Sequence, residues 1–173
     1  MSELDEMVGR IYNAFEGSEI LQRYMERHGI NSAGVPTVLD DNHAMLIAER
    51  LRPRIEGKTV VEIGGGLGLL ALHMGHVAKR VYCIEASPLW ASSFVAALLE
   101  QKPRNVSYLF GAADEFLGAI KGEVAIYCTH SDVRGMRLVA QQFAPVVIDV
   151  YGELIDEAPE HFDRLARVLR EVA

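Results

Sequence analysis

Thr59-Val60-Val61-Glu62-Ile63-Gly64-Gly65-Gly66-Leu67-Gly68-Leu69-Leu70-Ala71 decides how the rest of the chain is read. Thr59 to Ile63 is a short, mostly β-branched run, the mark of a buried strand. A glycine cluster follows, and then an apolar helical spacing through Leu67, Leu70, Ala71 and Met74. Strand, glycine turn and helix open a nucleotide-type α/β fold. Glycine serves there because it permits positive φ and lets a backbone come close to a ligand.

Downstream the same alternation repeats. Strands are expected at Arg80–Glu85, Val106–Phe110, Glu123–Cys128 and Pro145–Val150. Helices are expected between them: one opened by Ser87 and Pro88 and closed by Pro103, a short one over Asp114–Ile120, and one from Asp132 to Phe143. A last helix begins at Pro159. Strands alternating with helices imply a parallel sheet covered on both faces, with ligands at the carboxyl ends of the strands. The fold class is therefore α/β, a doubly wound, mainly parallel five-stranded sheet in the order 3-2-1-4-5.

Upstream, residues 1–57 read as a helical cap and 58–173 as the Rossmann-like core. The first helix carries Leu4, Met7, Val8, Ile11, Tyr12 and Phe15, and the second Ile20, Leu21, Tyr24 and Met25. A third, capped by Asp40 or Asp41, runs through Leu51 and is expected to stop at Pro53 and Gly57.

Bulk properties bound the function. A chain of 173 residues, 50% hydrophobic, has enough length for a proper core. A net charge of −7 with no dense Lys/Arg run argues against a nucleic-acid backbone as the default partner. The two cysteines, Cys83 and Cys128, fall in expected strands and read as reduced, buried thiols of a cytoplasmic protein. Met1 to Gly9 is acidic and amphipathic, so no leader is expected, and no run is long enough to span a membrane.

Two cofactor classes use a glycine turn of this kind. Gly66, Gly68 and Ala71 fit the dinucleotide pattern G-x-G-x-x-G/A, but two residues late after the strand. The other pattern, Glu62-x-Gly64-x-Gly66-x-Gly68, is matched in full. It resembles motif I of the class I (Rossmann-like) S-adenosylmethionine-dependent methyltransferases. The resemblance covers about residues 58 to 152 and corresponds to a short form without the family's C-terminal strand hairpin. An exposed sheet edge of that kind invites a homodimer.

The resemblance implies roles residue by residue. Gly64, Gly66 and Gly68 would form the cofactor loop, and Glu62 would help to hold the cofactor's methionine end or organise the loop. Glu85, with Ala86 after it, would accept the ribose hydroxyls; dinucleotide enzymes use that position too. Gly111-Ala112-Ala113-Asp114 falls where the family has Gly-Asp-Ala. Ala112 departs from the pattern, so Asp114 would approach the adenine amino group and the Ala113 amide a ring nitrogen, unless Asp114 only caps its helix. Thr129-His130-Ser131-Asp132 would face the reacting methyl group, with His130 a general base or an ordinary loop histidine. That stretch lacks the Asn/Asp-Pro-Pro-aromatic signature of enzymes methylating exocyclic or amide nitrogens. His73 and His76 lack a third ligand, so no metal is expected. The functional expectation is a methyltransferase acting on a small molecule or another, unidentified acceptor. A non-catalytic S-adenosylmethionine-binding scaffold is the alternative, and a nicotinamide-dependent oxidoreductase a third reading.

Overall fold

In the computed structural model the described residues are 41–66, 68–86, 103–128, 133–150 and 152–153. The expected helices at the start and end of the chain, the helix after Ser87, and the loop carrying His130 lie outside them.

Five strands form one all-parallel sheet in the order β3-β2-β1-β4-β5. They are β1 (Thr59–Ile63), β2 (Arg80–Glu85), β3 (Val106–Phe110), β4 (Val124–Tyr127) and β5 (Val146–Asp149). Among the described residues the α-helices are α1 (Asp41–Ile55), α2 (Leu69–Met74) and α3 (Val133–Phe143). β1 is central: Val60 pairs with Val81 on one side and Val124 on the other. The strand order is the one read from the sequence.

Side chains of a strand alternate between faces, and the core divides accordingly. Val60, Val81, Cys83, Val124, Ile126 and Ile148 meet α1 and α2 on one face. Val61, Ile63, Ile84, Ala125 and Tyr127 meet α3 through Ala140 and Phe143 on the other. α1 buries Ala44, Ile47, Ala48, Leu51 and Ile55, a helical stripe, in the same core as the sheet.

Two expected boundaries move. α1 does not stop before Pro53; it continues to Ile55 with the proline inside its last turn. A proline there deprives the Glu49 carbonyl of its intrahelical donor, but Leu51 and Ile55 are fully buried, and that packing holds the turn. The chain then reverses at Gly57, whose φ is 69°. Because Pro53 is exposed, Pro53→Ala is expected to raise stability by about 1–2 kcal/mol, the helix gain less the flexibility returned to the unfolded chain. The check is a higher urea midpoint at unchanged slope. The other shift concerns Asp114–Ile120, which is a single 3-10 turn, Ala113–Phe116. Leu117 is extended and Gly118 has φ 83°, so the helix cannot propagate.

Candidate functional site

The carboxyl ends of β1 and β2 build the site. The ladder between them runs one step beyond β1, the Gly64 and Gly65 amides both donating to the Ile84 carbonyl at 2.9 and 3.1 Å. The Gly66 amide then donates to the Glu85 carboxylate, Oε2, at 2.7 Å. The Glu85 carbonyl accepts from the Gly111 amide at 3.0 Å, which ties the end of β3 to the same point. Glu85 thus anchors the glycine loop with its side chain and the β3 turn with its backbone.

Gly64, Gly66 and Gly68 have φ of 71°, 55° and 72°, a conformation that costs any other L-residue roughly 1–2 kcal/mol. A Cβ built on Gly64 or Gly66 meets nothing within 4 Å. Steric crowding therefore does not explain glycine there; backbone conformation does, and it leaves the loop surface open to close approach. The Gly68 amide donates to the Gly65 carbonyl at 2.8 Å, and the Leu72 amide to the Gly68 carbonyl at 3.0 Å, which starts α2.

Gly65 is required for a different reason, and the sequence reading passed over it. A Cβ there would lie 2.1 Å from the Cys83 Sγ and 3.3 Å from Oε2 of Glu62. The signal was present: three consecutive glycines, the middle one at a position the motif leaves free. Gly65→Ala is expected to cost about 3 kcal/mol, since a buried thiol has no room to retreat. The double variant Gly65→Ala, Cys83→Ala should recover most of that loss, and urea melts of the four proteins of the cycle would reveal the coupling.

Glu62 lies under the loop, 3% exposed. Its Oε2 is buried without a hydrogen-bond partner, an arrangement that strongly disfavours an ionised carboxylate. Burial pushes the carboxyl up to about 8; the Cys83 thiol donating to it pulls down, and the neighbouring Glu85 pushes up again. Cys83, itself buried beside Glu62, is held well above the usual thiol range. Cys128, just past β4, is raised by burial and by Glu62, and Tyr108 on β3 is raised by burial first, then by Cys83, Glu85 and Glu62. Glu62 and Cys83 are enclosed, with Tyr108 and Cys128 half-buried on the same face.

Of the remaining sequence-derived residues, Ala86 directly follows β2 and is exposed. Ala113 opens the 3-10 turn and is half-buried, whereas Asp114 is exposed. Asp114 does not cap the turn: the Glu115 carboxylate does so, accepting from the Ala112 amide at 3.3 Å. The Asp114 carboxylate is therefore left to solvent or a ligand. His73 is 2.6 Å from the Asp41 carboxylate, and its ring lies 6.2 Å from that of His76, tilted by 51°. Among the described residues no cluster of three His, Cys, Asp or Glu could hold a metal ion, and no helix is long and apolar enough to cross a membrane.

No protein-family model matches the chain. A curated protein of Methanosphaera stadtmanae, named "Probable ribosomal RNA small subunit methyltransferase A", is 30% identical over 91 residues, 53% of this chain and 33% of that protein. The chain thus spans about a third of that relative's length. Among solved structures, a Pyrococcus horikoshii protein named as an RNA methyltransferase superposes with a TM-score of 0.52 at 24% identity, covering 69% of this chain and 68% of that one. The precorrin-6y C5,15-methyltransferase of Geobacter metallireducens GS-15 gives 0.57 at 11% identity, with 76% and 74% covered. The glycopeptide N-methyltransferase MtfA, solved with sinefungin, gives 0.51 at 17% identity, with 58% and 49% covered. The architecture built above is the one these methyltransferases share.

Proposed function

We propose that this chain, which has the fold of the class I S-adenosylmethionine-dependent methyltransferases, binds S-adenosylmethionine on its glycine loop and transfers the methyl group to a small-molecule acceptor. The observation that carries the reading is the 2.7 Å hydrogen bond from the Gly66 amide to the Glu85 carboxylate. It joins a loop of alternating left-handed glycines to a carboxylate at the tip of the next strand.

The residues present fit that cofactor. At Gly64 and Gly66 no described atom lies within 4 Å of where a side chain would begin. Glu85 accepts the Gly66 amide, and a carboxylate, with about four lone-pair sites, is suited to two vicinal hydroxyls. Ala86 adjoins it at the strand end. Asp114, exposed and not consumed as a cap, suits an exocyclic amino group, and the Ala113 amide a ring nitrogen. When bound, S-adenosylmethionine supplies an electrophilic methyl on a sulfonium that leaves as a neutral thioether. The protein's share is to align the acceptor and keep water out. Residues 129–132 come directly after β4 in the sequence, and we assign His130 among them the role of the base that takes the acceptor's proton. His130→Ala should then lower turnover roughly 10²-fold or more while leaving affinity for S-adenosylhomocysteine unchanged. Undiminished turnover would remove it as the base.

The net charge of −7 and the fold shared with a precorrin enzyme support a small acceptor. The local identity to a protein named for ribosomal RNA favours RNA as a second reading. The deciding experiment is calorimetric titration with S-adenosylhomocysteine and then NAD, followed by methyl-transfer assays on small-molecule and RNA panels. Binding of the homocysteine product alone is the expected result. Binding of NAD alone would discard the reading.

A further inference from the structure

Two carboxylates, Glu62 and Glu85, sit at neighbouring strand ends beneath one loop, and their surroundings differ. Glu85 accepts the Gly66 amide. Glu62 is enclosed, with one oxygen buried and unpartnered and lying against the underside of Gly65. Its neighbours can be named from each side. β2 contributes Cys83 and Glu85, β3 contributes Tyr108, and the end of β4 contributes Cys128. On the helices of that face, His73 and Asp41 engage each other at 2.6 Å. Among the described residues no Lys or Arg acts on the Glu62 carboxyl. A buried carboxyl beside another carboxylate, with no cation to compensate, keeps its proton.

Building on the cofactor reading, we infer that Glu62 and Glu85 share a single negative charge in the free protein, and that an onium cation seated on the glycine loop draws out the Glu62 proton. The compensating cation would come from the ligand. Glu62 then acts as a charge-specificity residue: it disfavours neutral adenosyl compounds relative to cationic ones, and this preference depends on pH. The proton leaves the carboxyl for bulk solvent and no covalent bond to the ligand forms. The cation has two sources in S-adenosylmethionine, its sulfonium and its α-ammonium, and the test separates them.

The test is calorimetry at about pH 7 in buffers of different ionisation enthalpy, which reports protons released per ligand bound. The probes are S-adenosylmethionine, S-adenosylhomocysteine, which keeps only the ammonium, and 5′-methylthioadenosine, which carries neither cation. Close to one proton should be released with S-adenosylmethionine and none with 5′-methylthioadenosine. Release with S-adenosylhomocysteine assigns the effect to the ammonium, and its absence there assigns it to the sulfonium. Glu62→Gln should bind S-adenosylmethionine with no proton release. If that variant does not fold, the unaltered protein still decides. Its affinity for S-adenosylmethionine, taken relative to 5′-methylthioadenosine, should rise about tenfold per pH unit between about pH 6 and 7. Binding of S-adenosylmethionine without proton release, or a pH-independent affinity ratio, overturns the inference and leaves the cofactor reading standing. Failure of all three ligands to bind removes both.

Discussion

Between about pH 5 and pH 8 the protein is expected to lose stability by about 1.4 kcal/mol per pH unit through Glu62 alone. In the unfolded chain this carboxyl ionises in the ordinary carboxylate range. In the folded protein, burial followed by the charge of Glu85 raises it to about 8. Through the interval between the two, the folded state holds a proton that the unfolded state has released. The sign follows: the stabilisation is complete below the unfolded value, declines as pH rises, and is gone above about 8. Other titrating groups contribute their own slopes, so the informative quantity is the difference from Glu62→Gln, in which they cancel. Urea midpoints of the two proteins across this range should converge toward a constant offset at the alkaline end. Parallel curves throughout would mean that Glu62 is ionised beneath the loop.

Glu85→Ala should weaken S-adenosylhomocysteine binding by roughly 100-fold or more. Hydrogen bonds to a charged acceptor contribute about 1.5–3 kcal/mol each, and two to a ribose correspond to at least that factor. The substitution also releases the Gly66 amide from its 2.7 Å bond, so the loop loses the contact that fixes its height over β2. Glu85→Gln, which keeps one acceptor oxygen, should fall between the two. A circular-dichroism melt would establish that the variant still folds. Unchanged affinity in a folded Glu85→Ala protein would mean that the glycine loop is not the ligand's seat.

Much of this was legible in the sequence because strands buried on both faces leave dense apolar runs. Val60-Val61 and Val81 through Ile84 needed no tertiary information, and neither did the alternation with helices. The register of Glu85 with the glycines was legible too, since both motifs sit at strand ends that pair in parallel. What escaped was whatever depends on the neighbouring strand. Gly65 is a glycine because of Cys83, and Glu62 holds its proton because no described Lys or Arg acts on it. Pro53 misled for the same reason in reverse: a local rule ended the helix, and the burial of Leu51 and Ile55 extended it. Asp114 could be read as a cap until Glu115 was seen to hold that place.

The central position of β1 also has a kinetic consequence. One of its partners, β2, follows after a single short helix, while the other, β4, comes only after β3 in the chain. As the chain emerges from the ribosome, β1, β2 and β3 can pair while the opposite edge of β1, with Val60 and Val61, still waits for Val124 and Ala125. That edge closes after the β2 edge, through the most distant pairing of β1. The nascent three-stranded half is therefore the species most exposed to wrong partners, and the arrival of β4 ends that exposure.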